Sequence, residues 1–402
     1  MEPRPRLLVL NQYYAPGLEA TAQLLAQLCE SIAAEWEVRV ITGRIRFQED
    51  EPDHELRNGV EVIRVHSTAY DRAPLVRRAS NYFTYLASAL RRALTTPVPD
   101  VVLCMTDPPL VGNVAYLVAR RFRRPLVIVS QDVFPEIAMQ VHRFENPVAL
   151  AVLRRLIKRS LRSADRIVAI GPVMRTRLID KGAHPTKTVV IPNWVDVNEI
   201  APQAKDNDWA RAHGLVDRFV VMHAGNVGHA QNLDVLLRAT ALLRDLDQLE
   251  VVIVGTGARH AHTVELAERL EINDRVRFLE YQDRERLPKV LAAADVHFVG
   301  LPRGLAGYIV PSRVNGILAA GRPILAAVDE ESETADVIRR AQCGTTVAPD
   351  NLPSVAAVLR DMVTGKIDLA GQGANARRFA ERELSLEGAV SAYRAVLRDV
   401  RR

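Results

Sequence analysis

The sequence predicts an α/β protein built from two Rossmann-like domains that face each other across a cleft. Three observations point to this fold. Strand-like runs of Val, Ile and Leu alternate with helical patterns along the chain, as expected for parallel strands covered on both faces. The chain has 402 residues, which suits two domains of about 150–200 residues better than a single core. A polar segment after Pro192-Asn193-Trp194 interrupts the alternation near the middle.

The first predicted domain covers residues 1–195, and a C-terminal helix at 382–402 crosses back to it. Its strands are expected at 7–10, 38–42, 60–65, 101–105, 126–130, 166–170 and 189–191, and its helices at 21–34, at 80–93 and from 110. The second domain covers 196–381. Its strands are expected at 219–224, 249–254, 276–279, 296–299 and 324–328, and its helices at 231–244, 260–270, 285–293 and 332–341. Ligands of such open sheets bind at the carboxyl ends of the strands.

Composition is ordinary for a globular protein, with 48% hydrophobic and 25% charged residues. No apolar run approaches the ~20 residues that span a bilayer, and no signal-peptide pattern opens the sequence. Cys29, Cys104 and Cys343 are far apart in apolar surroundings, so they are expected to be buried thiols rather than metal ligands or disulfides. We therefore expect a cytoplasmic protein.

The segment 307–328 predicts an anion site between a loop, a short helix and a strand. Pro311 suits a first helical turn, Gly321 suits a left-handed helix end, and Pro323 prevents continuation. The backbone from Tyr308 through Ile309 and Val310 would approach the ligand. Ser312 would add a hydroxyl and Arg313 a cation at the helix N-terminus. This combination favours a phosphate or diphosphate.

Two glycine-containing loops follow the first strands of the second domain. The segment 224–232 supplies Gly225, Asn226, Gly228 and Gln231 beside a helix start, and Val254 is followed by a Gly-Thr-Gly turn, Gly255 to Gly257. Bare backbone amides of this kind can cradle phosphate. The spacing matches neither a Walker loop nor the dinucleotide fingerprint, so tight turns that only need glycine remain the alternative.

In the first domain, the loop 11–19 leaves the first strand, and its Gly17 is a candidate contact to the donor. The loop after Ser130 carries Asp132 and Glu136. Carboxylates at a strand end could orient an acceptor hydroxyl or act as a base. The alternative is helix capping by Asp132 and a favourable dipole contact of Glu136. We favour function for Asp132 and the structural role for Glu136.

No catalytic metal site is predicted. Asp206-Asn207-Asp208 resembles an Asp-x-Asp metal motif but lies in a polar linker, and the ten histidines show no ligand pairing.

The net charge is only +5, but cations cluster in the first half of the chain. The segment 72–92 mixes arginines, among them Arg72, Arg77 and Arg78, with apolar and aromatic residues, and 154–162 forms a basic helical face. An anionic membrane surface or lipid phosphate would suit this pattern. A packed helix with a solvated arginine face is the alternative. Nucleic acid is not expected, since no recognised module accompanies the charge.

Five segments together carry a resemblance to a known family. They are Leu-Asn-Gln-Tyr-Tyr-Ala-Pro at 10–16, Ser-Gln-Asp-Val-Phe-Pro-Glu at 130–136, Ile-Pro-Asn-Trp-Val-Asp at 191–196, Ala-Gly-Asn-Val-Gly-His-Ala-Gln at 224–231, and Pro-Ser-Arg to Gly-Arg-Pro at 311–323. The chain resembles the GT-B-fold nucleotide-sugar glycosyltransferases, particularly the retaining family-4 type that builds bacterial surface polysaccharides. Its last helix is also similar to the family's closing helix.

The resemblance implies a nucleotide sugar, most simply a UDP-sugar, in the C-terminal domain and a lipid-linked or other glycan acceptor in the N-terminal domain. Transfer of a hexosyl or N-acetylhexosaminyl group would need no metal or other cofactor, and the protein would lie near the inner face of a membrane. Arg313 would neutralise the diphosphate and Asp132 would orient the acceptor.

The sequence departs from the family's Glu-x7-Glu pattern, because the two positions are Tyr308 and Gly316. The resemblance implies that the second glutamate binds the ribose hydroxyls, so Glu330, Glu331 and Glu333, just past the following strand, are candidate substitutes, and Glu333 is preferred. Two other functions remain open: a GT-B sugar-nucleotide epimerase or phosphorylase, and a sugar-nucleotide-binding subunit without catalysis.

Overall fold

The computed structural model describes residues 3–17, 19–44, 52–68, 75–137, 139 and 146–401. The chain forms two compact units, Met1–Pro192 with Glu387–Arg402, and Asn193–Leu386. The predicted boundaries were 195 and 382, three and five residues away from those of the structure.

The first unit contains an eight-stranded sheet with the strand order β3-β4-β2-β1-β5-β6-β7-β8. Its strands are β1 Arg6–Leu10, β2 Glu37–Gly43, β3 His54–Arg57, β4 Val60–Val65, β5 Val101–Cys104, β6 Leu126–Ser130, β7 Arg166–Ala169 and β8 Thr188–Val190. Its helices are α1 Ala20–Ile32, α2 Leu75–Ala93, α3 Val111–Phe122, α4 Pro147–Ser163 and α5 Pro172–Asp180. Every neighbouring pair is parallel except β3 with β4.

The second unit contains a six-stranded parallel sheet with the order β11-β10-β9-β12-β13-β14. Its strands are β9 Phe219–Ala224, β10 Leu249–Val254, β11 Val276–Leu279, β12 Val296–Gly300, β13 Ile324–Ala327 and β14 Gly344–Val347. Its helices are α6 Asp208–Ala212, α7 Leu233–Ala241, α8 His260–Arg269, α9 Leu287–Ala292, α10 Arg313–Ala319, α11 Glu333–Ala341, α12 Leu352–Val363 and α13 Leu369–Glu383. The last helix, α14 Leu386–Arg401, belongs almost entirely to the first unit.

Continuous apolar strands explain these sheets. All six residues of β10 are buried, because both faces of the sheet are covered by hydrophobic clusters. The doubly covered parallel architecture predicted from the sequence is therefore confirmed. Helices α7 and α9 begin two residues later than predicted, because each follows a separate 3₁₀ turn.

The segment around α10 ends as predicted but begins differently. Gly321 has a φ of +64°; its N–H bonds to Leu318 O at 3.0 Å, and the N–H of Arg322 bonds to Ile317 O at 3.2 Å. These two bonds form a Schellman cap. The expected place of Pro311 in the first turn is wrong, because the helix begins two residues later, at Arg313.

The closing helix α14 packs on the first unit, as predicted. Arg394 donates to Ser31 O at 2.9 Å, and Arg398 donates to Glu35 at 2.7 Å. The three cysteines are buried free thiols. Within the described residues, no helix combines the length and apolar character that crossing a membrane requires.

Candidate active site

In the second unit, the loops that follow β9 and β10 are joined through their backbones. The N–H of Gly225 donates to Val254 O, and that of Val227 donates to Thr256 O, each at 2.9 Å. The N–H of Arg259 closes the pair by donating to Val227 O at 2.9 Å. The two predicted loops thus form a single structure at the carboxyl edge of the sheet.

The glycines of these loops serve different purposes. Gly255 has a φ of +127°, and a methyl group there would lie 2.2 Å from Gly225 O; at Gly257 it would lie 2.5 Å from Val227 O. Both are therefore needed for backbone packing. Gly225 has a φ of +136° and open space beside it, so a ligand could approach there. The amide of Gly228 is already occupied, since it donates to Gln231 Oε1 at 2.9 Å.

Arg313 lies over the end of β12 and is the main charge of this edge. Its Nη2 donates to Gly300 O at 3.4 Å, while its buried Nε has no acceptor among the described residues. No described carboxylate forms an ion pair with it. Burial lowers the pKa of Arg313 to about 10. A desolvated cation without an acidic partner is a ready binding group for an anion.

Two histidines in the neighbouring strands, His223 in β9 and His297 in β12, are fully buried. Burial, followed by the charge of Arg313, lowers the pKa of His223 well below 6.5, and burial lowers that of His297 to about 4. Both are therefore neutral near pH 7. The His223 ring bonds to Asn226 O at 3.2 Å and so supports the loop after β9. These residues were not predicted, since each lies inside a strand whose pattern is that of a core.

The other predicted residues of this unit have well-defined places. Tyr308, Ile309 and Val310 lie in the half-buried loop before α10, and Ser312 is exposed and makes no capping bond. Glu333 is the first residue of α11 and is 5% exposed. Helix α10 has only seven residues, so Arg313 rather than the helix dipole provides most of the charge.

At Gly316, where the resembled family has a glutamate, the surroundings are apolar. A methyl group there would lie 3.5 Å from Leu291 Cδ1 and 3.8 Å from Ile200 Cδ1. The first carbon of a glutamate side chain would therefore pack against these two methyl groups.

In the first unit, Asp132 and Asp107 lie at the carboxyl ends of adjacent strands, β6 and β5. The Thr106 hydroxyl accepts from the N–H groups of Gln131 and Asp132, at 3.0 and 3.4 Å, and so ties the two loops together. Among the described residues, none donates to the Asp132 carboxyl. The capping alternative for Asp132 is therefore not what the structure shows.

Both carboxyls have altered proton affinities. Burial raises the pKa of Asp132 to about 7, and the charge of Asp107 adds to this rise. Burial also raises the pKa of Asp107 to about 6; a hydrogen bond from Thr21 opposes the rise, and Glu19 adds to it. Perturbed carboxyls of this kind concentrate at functional sites. Asp107 was missed from the sequence, although its position shortly after a buried strand is the same signal that identified Asp132.

The remaining predicted residues of this unit have structural roles. Glu136 forms ion pairs with Lys181 and, at 3.6 Å, with Arg154, in line with the structural role favoured from the sequence. Gly17 donates to Tyr14 O at 3.0 Å in a turn where a methyl group would lie 2.9 Å from that oxygen. Nothing in this turn identifies a ligand. Among the described residues, no group of three or more His, Cys, Asp or Glu could hold a metal ion.

Comparison with known proteins matches both halves of the chain. A family described as "glycosyl transferase 4-like domain" matches residues 17–194, and "glycosyl transferases group 1" matches 205–379. WbjE, a probable glycosyltransferase of Pseudomonas aeruginosa, is 28% identical over 71% of each chain. A D-inositol 3-phosphate glycosyltransferase of Kineococcus radiotolerans is 28% identical over 90% of this chain and 87% of its own.

A solved structure shares the fold of the whole chain. It is the complex of HepE from Anabaena with UDP-glucose, with a TM-score of 0.76, 16% sequence identity, and coverage of 98% of this chain and 99% of HepE. At this identity the likeness is evidence for the architecture alone.

Proposed function

The chain belongs to the GT-B-fold glycosyltransferases, its halves to the 4-like and group 1 families, and we propose that it transfers a sugar from a nucleotide sugar to a glycan or lipid-linked acceptor in polysaccharide synthesis. The donor is a UDP-sugar, bound by the second unit, and the acceptor binds to the first. UDP is the nucleotide in the HepE complexes, which supports this choice.

The observation that carries the proposal is Arg313. Its guanidinium, of which Nε is buried, has no carboxylate partner in the described part of the chain, and a nucleoside diphosphate would provide an anionic partner. As the bond to the sugar breaks, negative charge grows on the diphosphate, and a fixed cation stabilises it. We propose that Arg313 supplies this charge and that transfer needs no divalent metal.

Other residues complete the proposed roles. The nucleotide would enter the open space beside Gly225, and Glu333 would accept hydrogen bonds from the ribose in place of the glutamate absent at 316. Asp132 would accept a hydrogen bond from the acceptor hydroxyl and so orient it. Retention of the anomeric configuration is part of the proposal and rests on the family resemblance alone.

A donor screen followed by a transfer assay tests this function. We expect UDP and UDP-sugars, but not GDP or dTDP, to raise the melting temperature, since a ligand bound only to the folded state stabilises it by mass action. Labelled sugar should then move from the UDP-sugar to glycan acceptors in the presence of EDTA. Interconversion of the free sugar nucleotide would instead indicate an epimerase, and nucleotide binding without turnover would indicate a binding subunit.

A basic surface of the first unit supports the membrane contact expected from the sequence. We call it the α3–α4 face; its exposed cations without a carboxylate partner in the described chain are Arg120, Arg121, Arg155, Lys158, Arg159 and Arg162. Val148 and Val152 of α4 are 72% and 53% exposed on the same helix. We propose that this face binds anionic phospholipid. Arg72 lies outside the described residues, as do the side chains of Arg77 and Arg78.

Charge reversal tests the membrane contact. The double variant Arg155→Glu/Arg159→Glu should lose at least about tenfold in binding to phosphatidylglycerol vesicles, because each basic residue near such a surface contributes about 1 kcal/mol. Cosedimentation at low and high salt provides the measurement. Arg238→Glu/Arg269→Glu, which changes two exposed arginines of the second unit, is the matched control. Equal binding by both variants would exclude this face.

A further inference from the structure

The carboxyl edge of the first sheet presents hydrogen-bond acceptors that lack donors. Asn11, directly after β1, is fully buried. Its Nδ2 donates to Tyr13 O at 2.8 Å, which fixes the amide orientation, and its Oδ1 has no donor among the described residues. Gln12 is 9% exposed, and its Oε1 likewise lacks a donor there. Buried oxygens without donors are costly unless a ligand or water supplies them.

The backbone that carries these two residues is joined to the loops of Asp107 and Asp132. The N–H of Gln12 donates to Asp107 O at 2.9 Å, and Thr106 connects this loop to Asp132. The edge therefore combines amide oxygens with carboxylates, all of which accept hydrogen bonds once the carboxyls are ionised. A matching ligand must bring donors.

The cations near this edge are ion-paired, and two of them, Lys181 and Arg154, share the carboxylate of Glu136. Lys181 lines a small cavity together with Asp132, but it forms an ion pair with Glu136. Arg44, after β2, is paired with Asp53 at 2.7 Å. His66, after β4, is exposed. The described residues thus offer an approaching phosphate two carboxylates and no unpaired arginine or lysine.

We propose that the acceptor group bound at Asn11, Gln12, Asp107 and Asp132 is an uncharged, hydroxyl-rich sugar, and that these residues select against an acceptor sugar carrying phosphate. This inference rests on the proposed function, because it assumes that the acceptor binds to the first unit. This selectivity would distinguish the chain from the similar D-inositol 3-phosphate glycosyltransferase, because the name of that enzyme specifies a phosphorylated substrate. A like charge placed against a buried carboxylate is a strong element of specificity.

Binding of small sugars to the purified full chain tests the inference without requiring transfer. Saturation-transfer NMR at pH 8 would compare methyl glycosides of glucose, galactose, mannose and N-acetylglucosamine with their 6-phosphates. We expect at least one neutral glycoside to bind, and its 6-phosphate to bind at least about 100-fold more weakly. Asp107→Asn should reduce this ratio at least about fivefold, since it removes one repelling charge. Asp217→Asn, an exposed aspartate of the second unit, should leave the ratio unchanged.

If Asp107→Asn acts only through the structure, it should weaken the binding of each neutral glycoside and of its 6-phosphate equally and leave their ratio unchanged. That result would overturn the selection by charge. Binding of the 6-phosphates as tight as that of the neutral sugars, or no binding of any neutral glycoside, would also overturn the proposal. Failure of the proposed function is distinguishable, because UDP would then not stabilise the protein and no sugar would be transferred, whatever the glycoside ratios.

Discussion

Replacement of Arg313 by methionine is expected to lower kcat/KM for the UDP-sugar about 100- to 1,000-fold, as for other single groups that stabilise a developing negative charge. The stabilisation of the protein by UDP should be lost as well. Without nucleotide, the variant should be at least as stable as the natural protein. Burial holds the pKa of Arg313 at about 10, so the charged form costs stability at every pH below that value. Initial rates and thermal melting with and without UDP measure both effects.

Two further variants make this result specific. Arg313→Lys keeps the charge but not the planar fork of donors, so it should retain part of the UDP effect. Arg238→Met removes an exposed arginine of α7 that has no ion pair with any described residue, and it should change neither rate nor melting. A full UDP-induced shift in Arg313→Met would show that the diphosphate is bound elsewhere.

The sequence predicts best those strands whose residues are almost all apolar. Strand β10 is buried along its whole length, and this is visible as an uninterrupted apolar run. Strand β3 was missed because His54–Arg57 is polar and partly exposed, and it pairs antiparallel at the edge of the sheet. The start of α10 was misplaced because Pro311 is compatible with positions both inside and just before a first turn.

For the site, the sequence identifies residues that follow a strand but not what surrounds them. Asp132 was predicted from such a position, and Arg313 from the predicted start of a helix after a glycine-containing loop. The proximity of Asp107 to Asp132 depends on β5 and β6 being neighbours in the sheet, which is a tertiary fact. The apolar surroundings of Gly316 arise from Ile200 and Leu291, which are distant in the sequence. The occupation of the Gly228 amide by Gln231 likewise depends on a rotamer that no sequence pattern specifies.

Replacement of Asp132 by asparagine is expected to reduce transfer and to stabilise the protein. The loss of the carboxylate should lower kcat about 100-fold or more, in the range for groups that accept a proton or orient a hydroxyl. KM for the UDP-sugar should stay the same, since Asp132 belongs to the first unit. The combination of a lower kcat with a higher stability is informative, because a substitution that only damages the structure would lower the stability.

The gain in stability follows from the pKa of Asp132, which rises from 3.8 to about 7 on folding. For a carboxyl with a raised pKa, the ionised form is disfavoured in the folded state, so stability falls as the pH rises from about 4 to about 7. Each tenfold change in proton affinity is worth about 1.4 kcal/mol, so the cost reaches up to about 4 kcal/mol above pH 7. Asparagine removes this cost at pH 8, whereas at pH 5 less than half of the gain should remain.

Calorimetric unfolding at pH 8 and pH 5 measures this difference, with Asp217→Asn as the control for a simple change in net charge. Because Asp107 adds to the raised pKa, Asp107→Asn should also lower the pKa of Asp132 and give part of the same stabilisation. A carboxylate retained at a cost to folding is the signature of a residue kept for binding or chemistry. The Asp132→Asn variant could instead be less stable than the natural protein at pH 8, or transfer sugar at the natural rate. Either result would show that Asp132 is part of the structural framework of the loop.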